Sequence, residues 1–161
     1  GLAVSTLPDA PVAAHRLLAD PVWYVRVHAL RSLGSFDRDD LLADAAPLLA
    51  DDSWWVRAAA KETLERHPGP AAELLVGYLD HPDEFARNGA AETLQNIGVL
   101  DVLVEDAKAD PSETELLARI LRAGGDRLTA SAAHRSGLGA GELKALAAGS
   151  WTSRFGELWG R

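Results

Sequence analysis

Apolar positions return at three- and four-residue steps along most of this chain. Val22, Val25, Ala29 and Leu33 share one helical face with Arg26 at about 100° per residue. Tyr24, His28 and Arg31 fall on the other side. The stripe then repeats. Leu18-Ala19-Asp20-Pro21-Val22-Trp23-Tyr24-Val25-Arg26 is answered by Leu49-Ala50-Asp51-Asp52-Ser53-Trp54-Trp55-Val56-Arg57, and again by Leu79-Asp80-His81-Pro82-Asp83-Glu84-Phe85-Ala86-Arg87. Ala29, Ala60 and Ala90 stay in step, as do Leu33, Leu64 and Leu94, and Ser32, Thr63 and Thr93. Glu62 matches Glu92. So many positions held in register mark an internal repeat.

Each unit reads as a pair of helices. Clear copies cover about 11–36, 41–67 and 70–98, and a degenerate fourth covers 100–124. The first helices are expected at about 12–19, 41–49, 71–79 and 100–109. Helices this short are marginal alone, so stacking on neighbours must bury their apolar faces. The second helix of each copy is expected to start at its Asp, with the carboxylate as N-cap and Pro in the first turn, as in Asp20-Pro21 and Asp110-Pro111. Asp110 and Glu113 have capping-box spacing. In the third copy His81 occupies the cap position. Gly34, Gly98 and Pro68-Gly69-Pro70 mark the breaks.

Composition agrees with helices. The 161 residues include 29 Ala and 25 Leu against 10 Val and 2 Ile. The absence of cysteine excludes disulfides, thiolate metal sites and a thiol nucleophile. A net charge of -8 weighs against nucleic acid as a partner. No apolar run is long enough to span a membrane. The chain starts at Gly1 and contains no Met, which points to a processed or excised chain. The expected compartment is the cytoplasm, with an extracytoplasmic or membrane-tethered part of a longer polypeptide left open.

The pattern Asp-(Pro/Asp)-x-aromatic-aromatic-Val-Arg-x-x-Ala-x-x-x-Leu resembles the short, phycobilisome-lyase-like HEAT repeats over about residues 11–124. The resemblance implies an all-α fold, a right-handed α-α solenoid with a helical C-terminal cap. It also implies a protein-binding role. In such repeats Asp and Arg form a ladder between neighbouring copies, which assigns a structural part to Asp20, Arg26, Asp51, Arg57 and Arg87. His81 interrupts that ladder, and Asp80 or Asp83 are its possible substitutes. HEAT-like hydroxylases carry His-Glu pairs as iron ligands, and no His-Glu pair occurs here. HEAT-like DNA glycosylases are basic, unlike this chain.

Candidate partner-binding residues lie on the outer face of the second helices. Tyr24, Trp55 and Phe85 are expected to form one continuous aromatic column, one ring per copy. Arg31, Glu62 and Glu92 run below it. These side chains suit a partner peptide or helix, and the competing reading packs the rings between copies. Trp23 and Trp54 are expected nearer the packed edge.

No catalytic constellation is visible. The histidines at 15, 28, 67, 81 and 134 lack ligand spacing, and the paired acids sit at turns and helix ends. No metal or other cofactor is expected. The Gly-rich 137–141 segment lacks the features of a phosphate loop and reads as a turn. Residues 1–125 carry 11 basic and 21 acidic side chains, and residues 126–161 carry 5 and 3, so -10 gives way to +2. The 126–161 part is expected to form a cap within the same domain, with helices near 126–135, 141–148 and 151–159. Trp151, Phe155 and Trp159 would pack onto the last copy. The expected function is a protein-interaction module or assembly scaffold without catalysis. The alternative is an accessory factor or enzyme acting on a small ligand or nucleic acid held on the concave face.

Overall fold

A computed structural model of the chain describes residues 9–150. Nine α-helices and no strand occur among them. They are α1 (Ala10–Leu17), α2 (Trp23–Gly34), α3 (Leu42–Ala45), α4 (Trp54–Glu65), α5 (Pro68–Val76), α6 (Glu84–Asn96), α7 (Val99–Ala109), α8 (Glu115–Ser136) and α9 (Ala140–Ala147). The first helices α1, α3, α5 and α7 each pack on the second helix that follows. The second helices pack side by side, α2 on α4, α4 on α6 and α6 on α8. This two-layer stack is an all-α solenoid.

The repeating Leu and Ala positions build its interior. Leu33, Leu64 and Leu94 are buried at the same position of successive second helices, and Leu18, Leu49 and Leu79 are buried on the first-helix side. Each contributes about 1.5–3 kcal/mol of burial. Ala29, Ala60 and Ala90 are also fully buried. Their small side chains let the helices approach. At Gly89 the approach is closer still, since an added Cβ would stand 3.2 Å from a Leu49 methyl. A buried hydroxyl ties neighbouring copies. Thr63 Oγ1 lies 2.9 Å from both the Leu30 and Ala59 carbonyls, so its one proton serves the preceding copy or its own helix.

Several local expectations change. The second helices begin at Trp23, Trp54, Glu84 and Glu115, three or more residues after the expected caps Asp20, Asp51, His81 and Asp110. Those side chains shape the preceding turn instead. Asp20, Asp51 and Asp110 each accept the backbone N–H two residues on, at 2.8–3.0 Å. This is the local bonding that draws Asp out of the cap position. The Asp110–Glu113 capping box therefore does not form, and Thr114 is the residue before α8. Asp83 caps α6 by accepting from the Ala86 N–H at 2.9 Å. The expected first helix at 41–49 is broken into 3-10 turns around the four residues of α3. Pro47 lacks the N–H that a continuous α-helix needs there.

The fourth copy runs on into the C-terminal part. α8 kinks at Gly125, whose φ of 70° and ψ of -167° are open in practice only to glycine. Its second half and α9 cover the expected 126–135 and 141–148 helices. α9 packs on α7 and α8. Gly137, with φ 70°, ends α8 and opens the turn read from the Gly-rich segment. The expected 151–159 helix, with Trp151, Phe155 and Trp159, lies outside the described residues.

Candidate functional site

The site grows out of the turns that start α2, α4 and α6. Each turn is locked from two sides. On one side a short side chain accepts the N–H two residues on. His81 does this in the third copy, its Nδ1 lying 3.0 Å from the Asp83 nitrogen. On the other side the repeat arginine reaches back six residues. Arg26, Arg57 and Arg87 donate Nη1 to the carbonyls of Asp20, Asp51 and His81, each at 2.7 Å. The first turn of each second helix, which carries the aromatics, is thereby held.

Between copies, only the first rung of the expected ladder is bidentate. Arg26 Nε and Nη2 both donate to the Asp51 carboxylate at 2.9 Å. The two side chains are 15% and 12% exposed, so this is a mostly covered ion pair. His81 stands where the next rung would need a carboxylate, and Arg57 turns elsewhere. Its guanidinium carbon stands 4.0 Å from the Phe85 ring centroid. Neither acid considered as a substitute fills that rung. Asp83 is occupied as the α6 cap, and Asp80 pairs with Arg119 of α8 at 2.6 Å. Asp20 faces its own turn, at the Val22 N–H. The Arg119 pair escaped sequence reasoning because it lies three residues beyond Leu116, which holds the repeat position.

The aromatic side chains are on the outside. Tyr24 is 54% exposed, Trp55 52% and Phe85 53%. Trp23 and Trp54 are also exposed, at 44% and 55%, against the expectation that they pack inward. They are the first residues of their helices, and the buried positions begin further in, at Val27 on α2 and at Val56 on α4. The expected continuous column is a cluster instead. Trp55 stacks on Trp54 at 3.8 Å between centroids and lies near-parallel to Trp23 at 6.1 Å. Trp23 stands between Tyr24 and Trp55, edge-on to the tyrosine at 5.8 Å. No ring contact joins Trp55 to Phe85 among the described residues; Arg57 covers that gap.

Below the rings the charged residues pair with one another. Arg31 and Glu62 approach to 3.7 Å, and Lys61 holds Glu92 at 2.8 Å. A groove of about 490 Å³ runs between α2 and α4, lined by Trp23, Tyr24, Arg31, Trp54, Trp55 and Glu62 among others. A larger open cleft of about 790 Å³ lies at the other end, where Asp106, Asp110, Glu113 and Glu115 surround Leu103 and Leu116. There Ser112 donates both N–H and hydroxyl to Asp110, holding its carboxyl below the usual range. Beside the third turn, burial pushes the Tyr78 phenol up, and its ring stacks on His81 at 5.4 Å. No cluster of three or more His, Cys, Asp or Glu side chains suited to a metal ion occurs among the described residues.

Stacked helix pairs with a shared core and an exposed outer layer define a repeat protein of the α-solenoid class. The family model for HEAT repeats matches residues 10–95, more than half of the chain, and the chain belongs to that family. HEAT repeats generally mediate protein–protein interaction or scaffolding and are typically non-catalytic. No curated protein matches the sequence. No helix among the described residues is long and apolar enough to cross a membrane.

Proposed function

We propose that this protein is an interaction module or assembly scaffold that binds a partner protein on the outer face of its second helices. Tyr24, Trp55 and Phe85 are the anchors, with Trp23 and Trp54 beside them and Arg31, Glu62 and Glu92 as the polar margin. The observation that carries the reading is the exposure of five large rings on one edge of a well-packed solenoid. A Trp, Tyr or Phe presents about 150–250 Å². The four that cluster, Trp23, Tyr24, Trp54 and Trp55, are about half uncovered and leave on the order of 400 Å² of aromatic surface, within the range for the largest apolar patch of a monomer. Aromatic anchors with a polar rim are also the usual make-up of binding hot spots.

Asp20, Arg26, Asp51, Arg57 and Arg87 serve this surface from behind by fixing the turns that present it. We read residues 1–125 as the repeat array and 126–161 as its cap in the same domain. The continuous hydrophobic core from Ala14 to Ala147 supports placing both parts in one domain. Nucleic acid is not the partner in this reading, since residues 1–125 carry 21 acidic against 11 basic side chains. No catalytic role is assigned.

The test replaces Tyr24, Trp55 and Phe85 by Ala together. The variant keeps its helical circular dichroism, because all three side chains are about half outside the core. It loses the partner that the unaltered protein captures from source-cell extract. Equal capture by both would retire the proposal.

A further inference from the structure

The charges around the rings say what kind of segment suits them, given that the aromatic face is the partner site. Ring faces carry partial negative charge and attract cations. The molecule already uses one in this way, with Arg57 over Phe85 at 4.0 Å. The other positive side chains on this face are committed. Arg26 is held by Asp51, Arg31 lies against Glu62, Lys61 is held by Glu92, and Arg87 donates to the His81 and Pro82 carbonyls. Two carboxylates beside the rings form no such close pair, although the charge of Asp52 also acts on Arg26. Asp52 lies two residues before Trp54, and Glu84 directly precedes Phe85. Both are exposed, and neither joins an ion pair among the described residues. The surrounding repeat array carries -10, from 11 basic and 21 acidic side chains.

We infer that the segment bound on this face is cationic and arginine-bearing, with guanidinium groups stacked on the exposed indoles and Asp52 and Glu84 as counter-charges. Arginine is favoured over lysine because its planar guanidinium stacks on flat rings and bonds a carboxylate through two N–H groups at once. A second copy of this chain is a poor occupant, since it would bring another -8 against the same acidic surface. The groove between α2 and α4, about 490 Å³, is within the range that holds a small group or a few side chains.

The test uses the full chain and four short synthetic peptides of equal length. One alternates arginine with glycine, a second carries lysine for arginine, a third glutamate, and a fourth is rich in proline and uncharged. Binding is read by tryptophan fluorescence and calorimetry. The arginine peptide binds tightest and the lysine peptide several-fold more weakly. Trp55→Ala weakens the arginine peptide about tenfold. Asp52→Asn with Glu84→Gln weakens it several-fold, with the helical signal unchanged. Binding that Trp55→Ala leaves unaltered would mean general attraction to an acidic protein and would overturn the inference. So would the absence of binding by the arginine peptide. Preference for the proline-rich or glutamate peptide, lost in Trp55→Ala, would overturn the cationic partner while leaving the aromatic face as a binding site.

Discussion

Replacing Asp51 by Ala removes the carboxylate at the junction of the first two copies. Three hydrogen bonds go with it, two from the Arg26 guanidinium and one from the Ser53 N–H, each at 2.9 Å. An exposed ion pair is worth about 0–1 kcal/mol, and breaking a fully buried one costs about 3–5 kcal/mol. This pair lies toward the buried end, with side chains 15% and 12% exposed. Arg26 keeps its bond to the Asp20 carbonyl, which softens the loss. A destabilisation of about 3 kcal/mol follows. For a chain of this size each kcal/mol lowers Tm by about 2–4 °C, so the expected fall is about 6–12 °C. Urea and thermal unfolding followed by far-ultraviolet circular dichroism measure it. A mostly covered pair is weakly screened, so about 0.5 M salt should leave most of the difference in place. The exposed Arg38–Asp40 pair is the control, and Asp40→Ala should give no resolvable change. A loss below about 0.5 kcal/mol for Asp51→Ala, or one abolished by salt, would refute the idea that this rung fixes the turn.

Four further outcomes follow from the same geometry. His81→Asp gives Arg57 the carboxylate partner it lacks and raises the urea midpoint, with a gain of about 0.5–1.5 kcal/mol; a lower midpoint would contradict the account. Thr63→Val removes the hydroxyl that reaches the Leu30 carbonyl and costs about 1 kcal/mol in the same assay. Gly125→Ala forces a side chain onto a glycine backbone conformation and costs about 1–3 kcal/mol, unless the kink in α8 straightens without loss. Asp110 titrates below its ordinary value in the folded chain because Ser112 bonds its carboxylate. Its contribution is therefore present above the unfolded value and is lost as pH falls through the folded one. Asp110→Asn should flatten the acid side of the stability profile, and an unchanged acid limb would count against that bond.

The repeat was legible because stacking forces it on the sequence. Leu33, Leu64 and Leu94 recur where each second helix must meet its neighbour, and Ala29, Ala60 and Ala90 where it must come close. Direction around a helix is also legible, which is why Tyr24, Trp55 and Phe85 could be assigned to an outer face. Coverage along the helix axis is not. Trp23 and Trp54 lie nearer the packed edge on a wheel, yet they are the first residues of their helices and stand exposed. The same limit hid the true helix starts, since an Asp that shapes a turn and an Asp that caps a helix look alike in one sequence. Arg119 was missed for a related reason. It serves the Asp80 pair from one turn past the repeat position, where no pattern marks it. His81, by contrast, signalled a broken rung by its identity alone, and its Nδ1 takes over the turn bond while Arg57 goes to Phe85.

The central claim is that the exposed rings bind a partner protein. Quantitative capture from source-cell extract, comparing the unaltered chain with Tyr24→Ala/Trp55→Ala/Phe85→Ala at matched fold and concentration, tests it most directly. The account predicts that a specific partner is retained by the first and lost by the second. Retention of the same partner in equal amount by both would contradict it.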